Sequence, residues 1–305
     1  MENTENIHID NVSAAEVSRL SDEEYLAVRE NKKLSFLVKK HNKSRVLGKL
    51  RYWWSWFVAG TMLLVTGIPS LIFLALINRK TWLYPVAKFG ANAWLGASGA
   101  RLNVRGGEDL SQDESFVFVS NHRSYLDTAT LFFHTGHKMG LVAKKELLKW
   151  PIFGQGMHYV KIFAIDRSNP ERARKSMEKA RKVMEDGYSF GVFAEGTRAM
   201  PGELLPFKKG AFHLAMQTNS RIVPVAIRNT DWMMGKKQSV AFAGTIEMIL
   251  LPPVETEGRE LTDVLVETRG AIAEALSTTF ISGSDQPIEL GKNMAALDTH
   301  YRRQF

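Results

Sequence analysis

Residues 118–127 read FVSNHRSYLD and set a histidine and an aspartate, His122 and Asp127, just beyond a short apolar run. An imidazole takes up a proton near neutral pH without a large perturbation. A carboxylate bonded to one ring nitrogen fixes the tautomer and leaves the other nitrogen free to act as a base. It also stabilises the imidazolium that forms. With residues 116–119 as a strand, His122 falls in the crevice past its end and Asp127 in the first turns of the next helix. A pair at this spacing turns up by chance in many chains. The competing reading is a solvated histidine in a turn where Asn121 and Ser124 cap a helix.

Three further segments carry chemistry. FAEGTR at 193–198 places Glu195, Gly196, Thr197 and Arg198 on a loop after a strand. Arg198 offers a planar fork of donors suited to a phosphate, and Gly196 lets backbone N–H groups approach it. Lys208 adds charge nearby, whereas Lys209 reads as an ordinary surface residue. KKELLKWPIFG at 144–154 opens on Lys144 and is followed by IDR at 165–167. IVPVAI at 222–227 is a buried strand whose Pro224 belongs at an edge or a bulge.

The elements that must hold these residues alternate. Strands are expected over LNVRGG, SFVFVS, the start of LVAKKELL, KIFAIDR, SFGVFA, IVPVAI and residues 240–251. Helices are expected over 125–133, after Asn169 as N-cap and Pro170 as first helical residue, over KGAFHLAMQ, and over 261–277. Ala173, Met177, Ala180 and Met184 mark the buried stripe of the helix that ends at Gly187, and Leu261, Leu265, Ile272 and Leu276 that of the last one. This order predicts an α/β domain with a largely parallel sheet covered by helices on both faces. In such sheets ligands sit beyond the C-terminal strand ends, where His122 and the EGTR loop both fall.

The chain of 305 residues carries a formal charge of +8, which favours an acidic partner: nucleic acid, an anionic bilayer or a phosphorylated substrate. It contains no cysteine, which removes thiol nucleophiles, disulfides and cysteine-ligated metals. No metal site is expected either, since His134 and His137 lack carboxylates at ligand spacing.

Residues 52–78 contain no charge and are bordered by Trp53, Trp54 and Trp56. Lys39, Lys40, Lys43, Arg45, Lys49 and Arg51 precede them, and Arg79 and Lys80 follow. Length, aromatic border and basic flanks together favour a membrane segment over a buried core helix. Residues 81–98 add a second, interfacial helix, making a membrane-inserting helical pair. Nucleic-acid binding would explain the charge but not this segment. Gly67-Ile68-Pro69 interrupts the apolar run, and the stronger basic cluster lies on its N-terminal side. A bent or hairpin insertion that enters and leaves by one face is therefore expected, with Trp53–Trp56 at the headgroups. The chain divides into a polar, mobile tail (1–38), a membrane-associating segment (39–99), a catalytic domain (100–282) and a second tail (283–305).

The ordered set NHRSYLD, KKELLKWP…IDR, FAEGTR and IVPVAI resembles the glycerolipid acyltransferase family, most closely its lysophosphatidic acid acyltransferases. The resemblance spans about residues 100–255. It implies transfer of an acyl group from acyl-CoA or acyl carrier protein, without a further cofactor, to the free hydroxyl of lysophosphatidic acid. It implies His122 as base, Asp127 as its orienting carboxylate, and Glu195, Gly196, Thr197 and Arg198 as binders of the acceptor's glycerol phosphate. Arg167 is implied to assist with that phosphate, and Lys144 and Lys208 join the candidate substrate-binding residues. The family usually has proline where this chain has Ala194, so a less rigid loop is expected. The implied setting is a membrane, a bacterial inner membrane for a chain this compact, with the catalytic domain on the cytoplasmic face. The alternatives are an acyltransferase for a different lysolipid and a non-catalytic lipid-binding protein. A serine hydrolase lacks its G-x-S-x-G elbow here.

Overall fold

A computed structural model describes residues 20–36, 43–78, 82–143, 162–164 and 170–277. Both tails in large part, KKELLKWPIFG, the Asn169 cap and the IDR segment lie outside the described residues, as do Lys39, Lys40, Arg79 and Lys80.

The domain is built on a seven-stranded sheet. Its strands are β2 (Ala100–Arg105), β3 (Val117–Ser120), β4 (Met139–Ala143), β5 (Ile162–Ala164), β6 (Ser189–Phe193), β8 (Ile222–Arg228) and β9 (Gly244–Leu250). In space the order is β2-β9-β8-β3-β6-β4-β5. From β8 to β5 all neighbours run parallel; β9 alone opposes β8, with β2 parallel to it. The sheet is thus largely parallel, as the alternation of elements implies.

Both faces are covered, which is why the central strands are apolar without a break. Side-chain alternation still sorts residues to the two sides. Val117, Val119, Phe190 and Ile222 pack with α6 (Pro170–Glu185), α7 (Gly210–Gln217) and α9 (Leu261–Ser277). Phe116, Phe118, Val223 and Val225 pack with α5 (Leu126–His134), α8 (Thr230–Met234) and the helices before the domain. Each fully buried Phe or Leu here contributes roughly 1.5–3 kcal/mol.

Pro224 lies in an interior strand, at a bulge as expected: Val225 faces Leu250 of β9 whereas Ile222 faces Val254, so the facing chain carries one extra residue between these pairs. The Pro224 carbonyl accepts Leu251 N at 2.9 Å, just past the end of β9, whose ladder with β8 begins only at Val225. A strand residue directs its N–H and C=O to the same side, so the proline removes only the return bond toward Leu251, at a point where the ladder is already interrupted.

Before the domain, α1 (Asp22–Arg29) is closed by a capping box of Ser21 and Glu24. The two-residue strand β1 (Leu34–Ser35) then pairs with β7 (Glu203–Leu204). Next comes one helix of 32 residues, Arg45–Leu76, made of α2 (Arg45–Met62), a π-helical turn (Leu63–Gly67) and α3 (Ile68–Leu76). It is long and apolar enough to cross a membrane, and only 6% of its most apolar stretch is buried. The break expected at Gly67-Ile68-Pro69 is absent. The π turn absorbs the proline instead: Ile68 N bonds Leu63 O, and Thr66 Oγ1 donates to Met62 O at 2.6 Å.

The chain reverses after Ile77, and α4 (Leu83–Ala97) runs back along this helix, with Trp94 against Trp56 and Gly90 against Met62. The base of the long helix is docked on the domain. Ala241 N donates to Gly48 O at 2.9 Å, and Gly48 leaves no room for a Cβ, which would lie 2.7 Å from the Phe242 ring. Trp53 and Trp54 are 69% and 56% exposed, but Trp56 turns inward, so the expected cluster of three outward tryptophans is reduced to two.

Candidate active site

Ser120 of β3 pairs with Phe193 of β6 and Val225 of β8, so β3 and β6 end side by side while β8 runs on to Arg228. The loops that leave them carry His122 and Glu195–Arg198. Asn121 fixes the first loop by bonding both backbone groups of Ile227 in β8, at 2.8 and 2.9 Å.

The next residues wrap around one carboxylate oxygen. Asp127 Oδ2 receives His122 Nδ1 at 2.9 Å, Arg123 N at 2.7 Å and Ser124 N at 2.8 Å. Asp127 is fully buried in the first turn of α5, where the helix dipole favours a negative charge. With Nδ1 donating to that oxygen, Nε2 of His122 is the free basic nitrogen. The imidazole side chain is 15% exposed and stacks on Phe193 at 4.0 Å with the planes 16° apart. Its freedom to turn is thus removed from two directions.

The two loops are tied by backbone and side chain. Ala199 N donates to His122 O at 2.7 Å. Glu195 takes His122 N on Oε1 at 2.6 Å and Leu205 N on Oε2 at 2.7 Å. It is buried, and burial pushes its carboxyl up to about 7, opposed by those two N–H bonds and by Arg123. Both oxygens of the Glu195 carboxylate are therefore engaged by backbone N–H groups of the two loops.

Gly196 has φ +69, and a Cβ there would lie 2.8 Å from Lys208 Nζ, so glycine is what lets the lysine chain cross the loop. Lys208 and Thr197 are exposed. Lys208 N donates to Ala194 O at 2.8 Å, so the loop is held at the alanine without the fixed φ of a proline. The Arg198 guanidinium carbon lies over the Tyr125 ring, 3.6 Å from its centroid. Gly196, Thr197, Arg198 and Lys208 thus form one cationic, glycine-opened rim beside the histidine. Lys144 and Arg167 lie outside the described residues.

Ser124 is not available as a nucleophile. Its hydroxyl is buried, donates to Met234 O at 2.8 Å and accepts Leu126 N at 3.2 Å. The backbone N–H groups of His122, Arg123, Ser124 and Leu126 all point inward, to Glu195, Asp127 or Ser124.

Several contributors escape a linear reading. Arg123 is buried between Asp231 and the Glu203 carbonyl, at 3.2 and 2.7 Å. Lys236 donates to the Arg198 carbonyl. Phe193 and Tyr125 serve as ring platforms. Their neighbours in FAEGTR and NHRSYLD were the only available signal. His134 bonds Asn92 at 2.9 Å, and His137 is buried against Phe116 and Phe118; burial lowers both imidazoles below their ordinary value.

A family model described as "Acyltransferase" matches residues 101–228. An uncharacterized acyltransferase of Schizosaccharomyces pombe is 33% identical over 239 residues, covering 74% of this chain and 85% of that one. The human protein named 1-acyl-sn-glycerol-3-phosphate acyltransferase beta is 34% identical over 235 residues, covering 74% and 82%. The crystal structure of the 1-acyl-sn-glycerophosphate (LPA) acyltransferase PlsC from Thermotoga maritima aligns with a TM-score of 0.63 over 83% of this chain and 97% of its own, at 21% identity. The last similarity is one of fold.

Proposed function

The chain belongs to the glycerolipid acyltransferase family that includes the 1-acyl-sn-glycerol-3-phosphate acyltransferases, and from that premise we propose that it transfers an acyl group from a thioester, acyl-CoA or acyl carrier protein, to the free hydroxyl of lysophosphatidic acid. The observation that carries the mechanism is the His122–Asp127 pair at 2.9 Å beside a rim holding Arg198 and Lys208.

Nε2 of His122 removes the acceptor's hydroxyl proton as the oxygen attacks the thioester carbonyl. A C–O bond forms and the C–S bond breaks. The thiolate leaves with the proton that His122 returns, giving phosphatidic acid and a free thiol. Asp127 keeps Nδ1 protonated throughout and offsets the transient imidazolium charge. The buried, twice-bonded Ser124 hydroxyl supports direct attack over an acyl-serine intermediate. Arg198, Thr197, the Gly196 backbone and Lys208 bind the acceptor phosphate, with Lys144 and Arg167 as further contributors carried by the resemblance.

The enzyme works at a membrane. Arg51 and Gly99 lie side by side, a Cβ on the glycine coming within 3.1 Å of the arginine, so the long helix and α4 begin and end at one level. Inserted as a pair, they leave the N-terminal segment and the catalytic domain on one side. We assign that side to the cytoplasmic face. The return then begins beyond Ile77, not at Pro69.

Purified protein in phospholipid vesicles, given labelled acyl-CoA, tests the acceptor. Lysophosphatidic acid should yield labelled phosphatidic acid far faster than lysophosphatidylcholine or monoacylglycerol yields its product. A faster reaction with either of the others would replace lysophosphatidic acid as substrate, and no transfer to any would favour a lipid-binding role.

A further inference from the structure

Tyr125 occupies the turn between His122 and Asp127, at the N-cap of α5, and is 42% exposed. Neither base chemistry nor the burial of α5 requires an aromatic ring there. Yet one face of the ring carries the Arg198 guanidinium at 3.6 Å, well inside the range of a cation–π contact. The ring is held in turn by Trp56 of the long helix, edge-on at 5.6 Å with the planes 86° apart, and Trp56 packs on Trp94 of α4 at 5.4 Å. Among the described residues no carboxylate pairs with Arg198.

A guanidinium carbon 3.6 Å from a ring centroid is at face-to-face contact distance, which directs its N–H groups past the ring edge, where a tetrahedral phosphate can take two at once. A free arginine side chain would have to give up rotamer freedom on binding; one already stacked gives up less. We infer that Tyr125 is a positioning residue for the acceptor phosphate, holding the Arg198 fork open toward the lipid headgroup, with Trp56 of the membrane-side helix fixing the ring that does so. This rests on the reading of Arg198 as a phosphate ligand. It adds that phosphate recognition is set partly by the motif that carries the base and partly by the helix that meets the bilayer.

The test uses the full chain in phosphatidylcholine vesicles with labelled acyl-CoA. Initial rates are measured against lysophosphatidic acid and against 1-acylglycerol, which lacks the phosphate. Tyr125→Leu keeps bulk but removes the π face, and should raise KM for lysophosphatidic acid about threefold to tenfold, the effect of one cation–π contact of ordinary strength. Its kcat should stay within about twofold and KM for 1-acylglycerol should not move, because the deleted contact acts only through the phosphate ligand. Tyr125→Phe should restore the wild-type KM. In an Arg198→Ala background, Tyr125→Leu should add nothing further.

The inference is overturned if Arg198→Ala raises KM for lysophosphatidic acid while Tyr125→Leu does not. It is also overturned if Tyr125→Leu raises KM for both acceptors alike, or raises it again without Arg198. An unchanged KM in Arg198→Ala would remove the phosphate reading itself, and this inference with it. Thermal melting of each variant separates a lost platform, with an unchanged midpoint, from a loosened α5 turn, whose lower midpoint with losses on both acceptors would also overturn it.

Discussion

Glu195 accepts the backbone N–H of His122 at 2.6 Å, so the carboxylate of one sequence motif holds the main chain of the other. Its second oxygen takes Leu205 N at 2.7 Å. Glu195→Gln replaces one acceptor oxygen with an N–H₂ that must face an N–H donor. A lower melting midpoint is expected, worth about 1–3 kcal/mol, together with a loss of kcat. A variant as stable and as active as the wild type would show that the carboxylate is not what holds His122.

The same group gives a pH dependence with a definite sign. Burial raises the Glu195 carboxyl from its ordinary 4.5 to about 7. Between those values the unfolded chain releases a proton that the folded chain retains. This group's contribution to stability is therefore full below about 4.5 and falls as pH rises toward 7, by on the order of 3 kcal/mol. Denaturant unfolding at pH 5 and pH 7.5 should show a fall with pH that is smaller in Glu195→Gln. Equal slopes in the two proteins would contradict it.

Much of the site was legible in the sequence because its groups are close along the chain or sit at strand ends. The His122–Asp127 spacing crosses one strand–turn–helix junction, so a local reading reached it. What was missed is contact between segments far apart in sequence. Nothing in FAEGTR says that Glu195 turns inward, because that depends on the N–H groups of His122 and Leu205 converging on it. The Tyr125–Arg198 stack and the Arg123–Asp231 pair, at 3.2 Å, are of the same kind. The sheet order too was only partly legible. Alternating elements implied parallel strands, but not that β9 would run against β8. The apolar helix was read correctly in composition and wrongly in shape, because a π turn can absorb a proline that seemed to demand a break.

Ser124→Ala deletes a hydroxyl bonded to Met234 O and Leu126 N but placed away from the reaction. Stability should fall by about 1 kcal/mol while kcat changes by less than about fivefold. Mass spectrometry after quenching with labelled acyl-CoA should find no acyl ester on residue 124. Such an ester, formed fast enough to account for turnover, would replace direct attack by a two-step mechanism.

The helical pair predicts that residues 13 and 112 lie on the same side of the membrane. In this cysteine-free chain, Ser13→Cys and Gln112→Cys can be labelled one at a time by an impermeant thiol reagent. Both should be protected in intact cells and both should react after lysis. Labelling of the first alone in intact cells would mean that the long helix crosses without a return.

Asp127→Asn keeps the shape of the turn but puts an amide where Oδ2 now receives His122 Nδ1, Arg123 N and Ser124 N. The amide oxygen can keep the Oδ2 place and accept all three donors, with its N–H₂ where Oδ1 now lies without a protein partner, but the negative charge that offsets the imidazolium is lost. A fall in kcat of roughly 10²- to 10⁴-fold is expected, with KM for lysophosphatidic acid little changed.

The central claim is that His122 takes the proton from the acceptor hydroxyl, and removing its imidazole tests it most directly. The initial rate of transfer from labelled acyl-CoA to lysophosphatidic acid should be measured for wild type and His122→Ala in identical vesicles. Melting midpoints and binding of lysophosphatidic acid should be compared alongside, since the ring lies in the crevice and outside the two apolar cores. The account predicts a folded variant that still binds the acceptor and transfers acyl groups at least about 10²-fold more slowly. A His122→Ala protein that made phosphatidic acid at close to the wild-type rate would contradict it.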